Sequence, residues 1–378
     1  MRQGNTKRRR RVRIDGRSAA VDLVRIVGVL AIVAGHVWND GAVRQWTYPW
    51  HVPLFFFISG YLWKSGRRLR TDAARRVQSL LIPYVSWLIL IGVGYLTILS
   101  RSGEFPASKL MDVLLGGSHI TRPFSAFWFV TALLIACLVL RALEPLGTYA
   151  QWTVAALGLT AAYLDPSLLA DIPWSAGVAI PSMAFLLFGQ VLRRIMPRLQ
   201  HPLVLALVLL TLAAAAVASG ISSPLSMKYG DFGVPVLGVL VAVASSAGLI
   251  LVAEELVPRL SRRIQAGAVH LATVALAVIL SHAAVLWVLQ RAHVDDLVSF
   301  VAAVTVPWAA ALVIARTSVS WLFLGRPRTL AKKQANHHPS RSSGDAPPST
   351  RGTPPNVPQG PLAGSNTEPD GGSSTPTR

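Results

Sequence analysis

Three ionisable residues stand in one otherwise apolar stretch. Residues 21–38 read VDLVRIVGVLAIVAGHVW and include Asp22, Arg25 and His36. Charged or titratable groups in a segment fit to enter a bilayer are costly, so they mark pairing or reacting groups. Arg25 and His36 are eleven residues apart, about three helical turns, which puts both on nearly one face of a helix. At ~1.5 Å of rise per residue they are ~16 Å apart along the axis. Asp22, three positions before Arg25, lies on the same stripe and can pair with the guanidinium. An imidazole of ordinary basicity can take a proton from a hydroxyl near neutral pH. The stripe therefore offers an ion pair at one end and a general base at the other. The plainer alternatives are an arginine that snorkels to the membrane surface and an interfacial histidine.

The elements that must hold these residues are apolar helices. The chain has 378 residues, 52% apolar and 14% charged, with a mean hydropathy of +0.48. Soluble domains carry about 25% charged residues, so the composition is that of an integral membrane protein. Net charge is +19, but eight of the basic residues fall within positions 1–17, where KRRRRVR suits a cytoplasmic anchor on anionic lipid. Most of the others lie in short loops, which speaks for membrane topology and against a nucleic-acid partner. No small-residue cleavage site follows the first apolar run, which reads as a retained helix.

Ten segments are long enough to span: 20–38, 50–64, 77–99, 124–143, 150–165, 175–192, 202–219, 234–253, 268–290 and 297–316. Basic residues alternate between their loops. One set of loops contains Lys64, Arg67, Arg68, Arg70, Arg75 and Arg76, then Arg141, then Arg193, Arg194 and Arg198, then Arg259, Arg262 and Arg263. The other set carries Asp165, Asp171, Asp231, Asp295 and Asp296. This is the positive-inside pattern of an all-α, polytopic protein in the cell membrane, with ten helices and both termini cytoplasmic. Three regions follow: a basic segment 1–18, a transmembrane domain 19–325, and a tail 326–378. The tail is rich in Pro, Gly, Ser and Thr and is expected to be disordered. The lone Cys137 excludes an intramolecular disulfide, and neither it nor the adjacent His337 and His338 suggests a metal site.

With that orientation Arg25 lies at the inner end of the first helix and His36 at the outer end. His51 opens the second segment from the outer side and can approach His36, since only about twelve residues connect the two helices. Ser59 and Gly60 give the second helix a small face for close packing. The basic loop 64–76 lies under the inner end, and its guanidinium groups suit the phosphates of an anionic cofactor.

Residues 21–87 resemble the membrane-bound acyltransferase family 3, which includes sugar O-acetyltransferases and fucose 4-O-acetylase-like members. The matching pieces are D-x-x-R at Asp22 and Arg25, R-x10-H at Arg25 and His36, HVPLFFFISGYL at 51–62, and LLIPYVSW at 80–87. Weaker echoes are FWFVTALL at 127–134, which contains Trp128, FLLFGQVL at 185–192, and TVALAVILSHAAV at 273–285, whose His282 stands where the family often has a late histidine. The resemblance implies acyl-CoA, usually acetyl-CoA, as a co-substrate bound from the cytoplasm, with no permanently bound cofactor. It also implies an acceptor hydroxyl on a glycan or on a glycosylated or lipid-linked molecule. On this resemblance His36 is the catalytic histidine, assisted by Arg25 and Asp22. Arg76, with Arg75, Arg70 or Arg67, meets the donor's phosphates, and His51, Ser59, Trp128 and His282 fall on the substrate side. The chain departs from the family pattern before LLIPY, where Ser79 takes the place of an arginine. Two other readings are a transporter or flippase for a glycan-linked or amphiphilic substrate, and a catalytically silent scaffold. Against the transporter stand the concentration of intramembrane charge in the first helix and the lack of an internal repeat.

Overall fold

The computed structural model describes residues 13–14, 17–39, 41–101 and 107–325. Most of the basic segment and the whole tail 326–378, with His337 and His338, lie outside the described residues. A two-residue antiparallel hairpin, β1 (Arg13–Ile14) with β2 (Arg17–Ser18), leads into the helices. These are α1 (Ala19–Val37), α2 (Gly41–Thr47), α3 (Pro53–Tyr61), α4 (Leu69–Arg76), α5 (Ile82–Arg101), α6 (Ala107–Leu115), α7 (Phe127–Ala142) and α8 (Gly147–Leu164). After them come α9 (Pro166–Ala170), α10 (Ala176–Ile195), α11 (Pro202–Ala218), α12 (Leu237–Leu256), α13 (Arg262–Ala272), α14 (Ala275–Arg291), α15 (Asp296–Ile314) and α16 (Ser320–Leu324).

The architecture is that of an all-α membrane protein. Among the described residues, five helical stretches can cross a bilayer by length and composition: Ala19–Val37, Leu69–Arg101, Pro173–Arg198, Leu237–Arg259 and Asp296–Ile314. Two bent pairs raise the number to seven, α7 with α8 at 42° and α13 with α14 at 60°. The apolar α11, seventeen residues long, falls just short. The sequence pattern had pointed to ten segments. The one at 50–64 forms only the nine-residue α3, about 14 Å long at the helical rise, roughly half a hydrocarbon core. A π-helical turn, Val77–Leu81, joins α4 to α5.

The long α1 is the axis of the site. Its nineteen residues extend about 28 Å, enough for a bilayer core. Asp22 lies in the first turn, where the positive end of the helix dipole favours a carboxylate. His36 lies in the last turn, where the opposite end favours a cation. Most of α1 packs on α12, α13, α14 and α15, elements from the far end of the chain. Its neighbour in sequence, α3, packs chiefly on α10 and only lightly on α1.

Two glycines create the α3–α10 crossing. A Cβ on Gly60 would lie 1.9 Å from the carbonyl oxygen of Leu186, and one on Gly189 would lie 2.1 Å from that of Phe57. Backbone therefore meets backbone, the arrangement that small residues permit between membrane helices. Phe56, Phe57, Ile58 and Tyr61 are fully buried around it, as are Phe185 and Leu186. A Gly60→Ala substitution should lower stability by about 1–3 kcal/mol, the usual cost of overpacking. Gly92→Ala on α5 should be neutral, since nothing lies within 4 Å of the added methyl. Thermal unfolding in detergent distinguishes the two; equal midpoints would show that the crossing is not set by glycine.

Candidate active site

At one end of the α1 stripe the ion pair that the spacing predicts is formed. Arg25 Nη1 donates to Asp22 Oδ1 at 2.7 Å, and the Asp22 carboxylate is buried. Three turns on, His36 is half-buried and its ring nitrogens have no hydrogen-bond partner among the described residues. Its imidazole faces that of His282 on α14, edge to face, with ring centroids 5.1 Å apart.

His282 is wholly buried. Its Nδ1 lies 2.8 Å from the carbonyl oxygen of Ile279 and 3.1 Å from that of Val278. Carbonyls only accept, so Nδ1 carries the proton and Nε2 presents a lone pair. That Nε2 is buried without a partner. A polar atom left so in an apolar interior is an expense that packing alone does not explain.

Three connecting segments close over the His36 end. From residues 39–52, His51 Nδ1 donates to the carbonyl of Thr47 at 2.7 Å, and its ring packs edge-on to Tyr48 at 4.8 Å. The Tyr48 hydroxyl donates to Asn39 Oδ1 at 2.8 Å. From residues 116–126, Arg122 donates to the backbone carbonyl of His36, capping the last turn of α1. From residues 222–236, Lys228 donates to the carbonyl of Ile120, so the second and third segments are tied together. Ser226 Oγ accepts from Arg44 at 3.0 Å, which ties the third to the first. His282, Arg122, His51 and Lys228 all lie within electrostatic reach of His36. Burial lowers the basicity of both cations, that of Lys228 to about 8.

At the other end of the bundle the arginines of loop 64–76 divide into two kinds. The carboxylate of Asp72 is 2% exposed and accepts from Arg76 Nε at 3.0 Å, Arg67 Nη1 at 3.3 Å and Arg141 Nε at 3.4 Å. Arg141, from α7, also pairs with Glu144, donates to the carbonyl of Lys64 and stacks on Trp63 with 4.1 Å to the ring centroid. A buried carboxylate needs such company, since an unpaired charge in this setting costs several kcal/mol. Arg70 and Arg75 are exposed, with no carboxylate partner among the described residues.

The remaining residues singled out from sequence lie elsewhere in the fold. Ser59 donates its hydroxyl to the carbonyl of Phe55 on its own helix, 2.8 Å away. Trp128 is buried in the core beside Phe129. Among the described residues no group of three His, Cys, Asp or Glu side chains could hold a metal ion. A surface cavity of about 510 Å³ is lined by Ser118, His119, Asp165, Asp171 and Tyr229, and His36 is not part of it. Sequence reasoning missed Arg122, Lys228 and Asp72. Asp72 had a signal, as the single acid in a basic run, whereas Arg122 and Lys228 had none that set them apart from other loop cations.

Comparison with known proteins was informative on family. Nodulation protein NolL of Mesorhizobium japonicum is 27% identical over 169 residues, covering 41% of this chain and 43% of that protein. Nodulation protein NolL of Sinorhizobium fredii is 29% identical over 174 residues, covering 42% and 45%. The chain thus spans less than half the length of these curated relatives. No solved structure matches it. A profile described as an acyltransferase domain matches residues 18–325, from the residue before α1 to the residue after α16, with both histidines and the arginine loop inside it. The chain belongs to the acyltransferase domain family.

Proposed function

We propose that the chain is a multi-pass O-acyltransferase of the cell membrane. It moves an acyl group, acetyl by family resemblance, from acyl-CoA to a hydroxyl of a glycan or of a glycosylated or lipid-linked acceptor. The observation that supports this reading most is the facing pair of imidazoles. His36 has free ring nitrogens, and His282 turns an unpartnered lone pair into the same region. With His282 Nε2 an open acceptor, a His36 N–H turned toward it would leave the other His36 nitrogen to act as base.

The step is a direct displacement. His36 takes the proton of the acceptor hydroxyl, the oxygen attacks the thioester carbonyl, the C–O bond forms and the C–S bond breaks. The thiolate of CoA leaves and collects the proton from His36. No serine or cysteine nucleophile is required; Cys137 is buried in α7. Arg25, held by Asp22, lies on the same stripe, about 16 Å from His36 by helical rise. In this reading the donor's extended arm runs past it. Exposed Arg70 and Arg75 meet the donor phosphates first, and Arg67 and Arg76 exchange part of their pairing with Asp72 for phosphate.

His36→Ala should lower kcat by a factor on the order of 10² to 10⁴, the usual contribution of a general base, while acyl-CoA binding to the purified protein is unchanged. Transfer at the wild-type rate would remove His36 from the chemistry. His282→Ala should lower kcat at least tenfold, alter the pH dependence of kcat and leave the KM for acyl-CoA alone. If the folded variant kept the wild-type kcat and pH profile, His282 would be a packing residue only. The double variant Arg70→Ala/Arg75→Ala should raise the KM for acyl-CoA about tenfold or more with kcat little changed; an unaltered KM would place the donor phosphates elsewhere.

A further inference from the structure

Two loop cations of the described residues, Arg122 and Lys228, share a condition otherwise met by Arg44 and Arg193, which lie over tyrosine rings. Arg122 and Lys228 are half-buried, and neither has a carboxylate within ion-pair distance. Buried or partly buried cations are normally paired. Each spends a donor on a backbone carbonyl, Arg122 on His36 and Lys228 on Ile120. Most N–H donors of the guanidinium and the ammonium are left for another acceptor. The negative end of the α1 dipole compensates Arg122 in part, and Lys228 lies over the ring of Tyr229, 5.1 Å from its centroid.

Their placement is equally specific. Ile120 precedes Arg122 by two residues, so the Lys228–Ile120 hydrogen bond holds the two cations on adjoining loops, and Arg122 reaches the backbone of His36 itself. A neutral hydroxyl needs no such positive potential, whereas an anion is drawn and oriented by it. The adjoining 510 Å³ cavity has the opposite character. Asp165 and Asp171 line it together with Ser118 and the exposed Tyr229, a lining that suits sugar hydroxyls and repels an anion.

We propose that Arg122 and Lys228 form an anion subsite beside His36 that takes a carboxylate or phosphate carried by the acyl acceptor, so that the acceptor is an acidic glycan. This rests on reading His36 as the place where the acceptor hydroxyl reacts. The acidic group seats on the two cations and the neutral sugar surface lies toward the cavity, which leaves a nearby hydroxyl over the imidazole.

The test labels the lysines of the full chain in detergent with acetic anhydride and follows each by mass spectrometry. Inorganic phosphate and glucuronate at millimolar concentration are the two probes. Labelling of Lys228 should slow at least fivefold with one or both anions, while the exposed Lys64 is unaffected. The more protective probe tells a phosphate-bearing acceptor from a carboxylate-bearing one. Protection should vanish in R122Q. A Lys228 labelled equally with and without both anions, or a protection that R122Q leaves intact, overturns the proposal. The rise in unfolding midpoint given by phosphate is an independent readout. K228Q and R122K should each diminish it, and an undiminished rise in both contradicts the subsite. Protection should persist in H36A. Loss of the acyl-transfer reading and loss of the subsite therefore register in different measurements.

Discussion

The contact between the rings of His36 and His282 joins the first long helix to the fourteenth, and the cost of placing two imidazoles there accounts for much of what surrounds them. An apolar interior tolerates a polar ring only when its nitrogens are occupied or put to use. His282 occupies one nitrogen with the carbonyls of Val278 and Ile279 and leaves the other bare, while His36 leaves both bare. For the rings to meet, α14 must lie along α1. The chain achieves this by packing α1 among α12, α13, α14 and α15 and assigning α3 to α10 through two glycines. The loops that carry Arg122 and Lys228 then close over the end where the rings meet.

At the opposite end a different constraint operates. Asp72 is buried and must be neutralised, so it gathers Arg67 from the loop before α4, Arg76 from α4 itself and Arg141 from α7. The result is a rigid basic platform with two free arginines, Arg70 and Arg75, at its edge. The platform is followed at once by the π-helical turn Val77–Leu81, a kind of distortion often found at functional positions. In the proposed reading a phosphate-bearing donor would meet Arg67 and Arg76 there with their guanidinium groups already held by Asp72.

The local parts of this design were legible in the sequence and the distant ones were not. R-x10-H and D-x-x-R are readable because helical periodicity fixes them within one element, and the Asp22–Arg25 pair formed as that periodicity requires. The all-α membrane character followed from apolar runs and loop charges. Whether a run becomes one straight span or a bent pair depends on breaks such as those at Leu143 and Val274, which hydropathy does not encode. His282 was recognised only through resemblance, and its contact with His36 depends on a helix packing that joins opposite ends of the chain. Ser59 was placed on the substrate side by resemblance; its hydroxyl bonds the carbonyl four residues back, as a helical serine can. Arg122 and Lys228 were hidden because a basic residue in a loop reads as topology until the loop's fold brings it to the site.

The most direct test replaces His36 by triazolylalanine, which keeps the shape of imidazole with lower basicity, and measures kcat for acyl transfer across pH. If His36 takes the acceptor's proton, the acid limb of the profile moves to lower pH by about the difference in basicity between the two rings, and the plateau rate falls. A limb that stays in place with an unchanged plateau would show that the proton goes elsewhere, and that the two imidazoles are a packing contact.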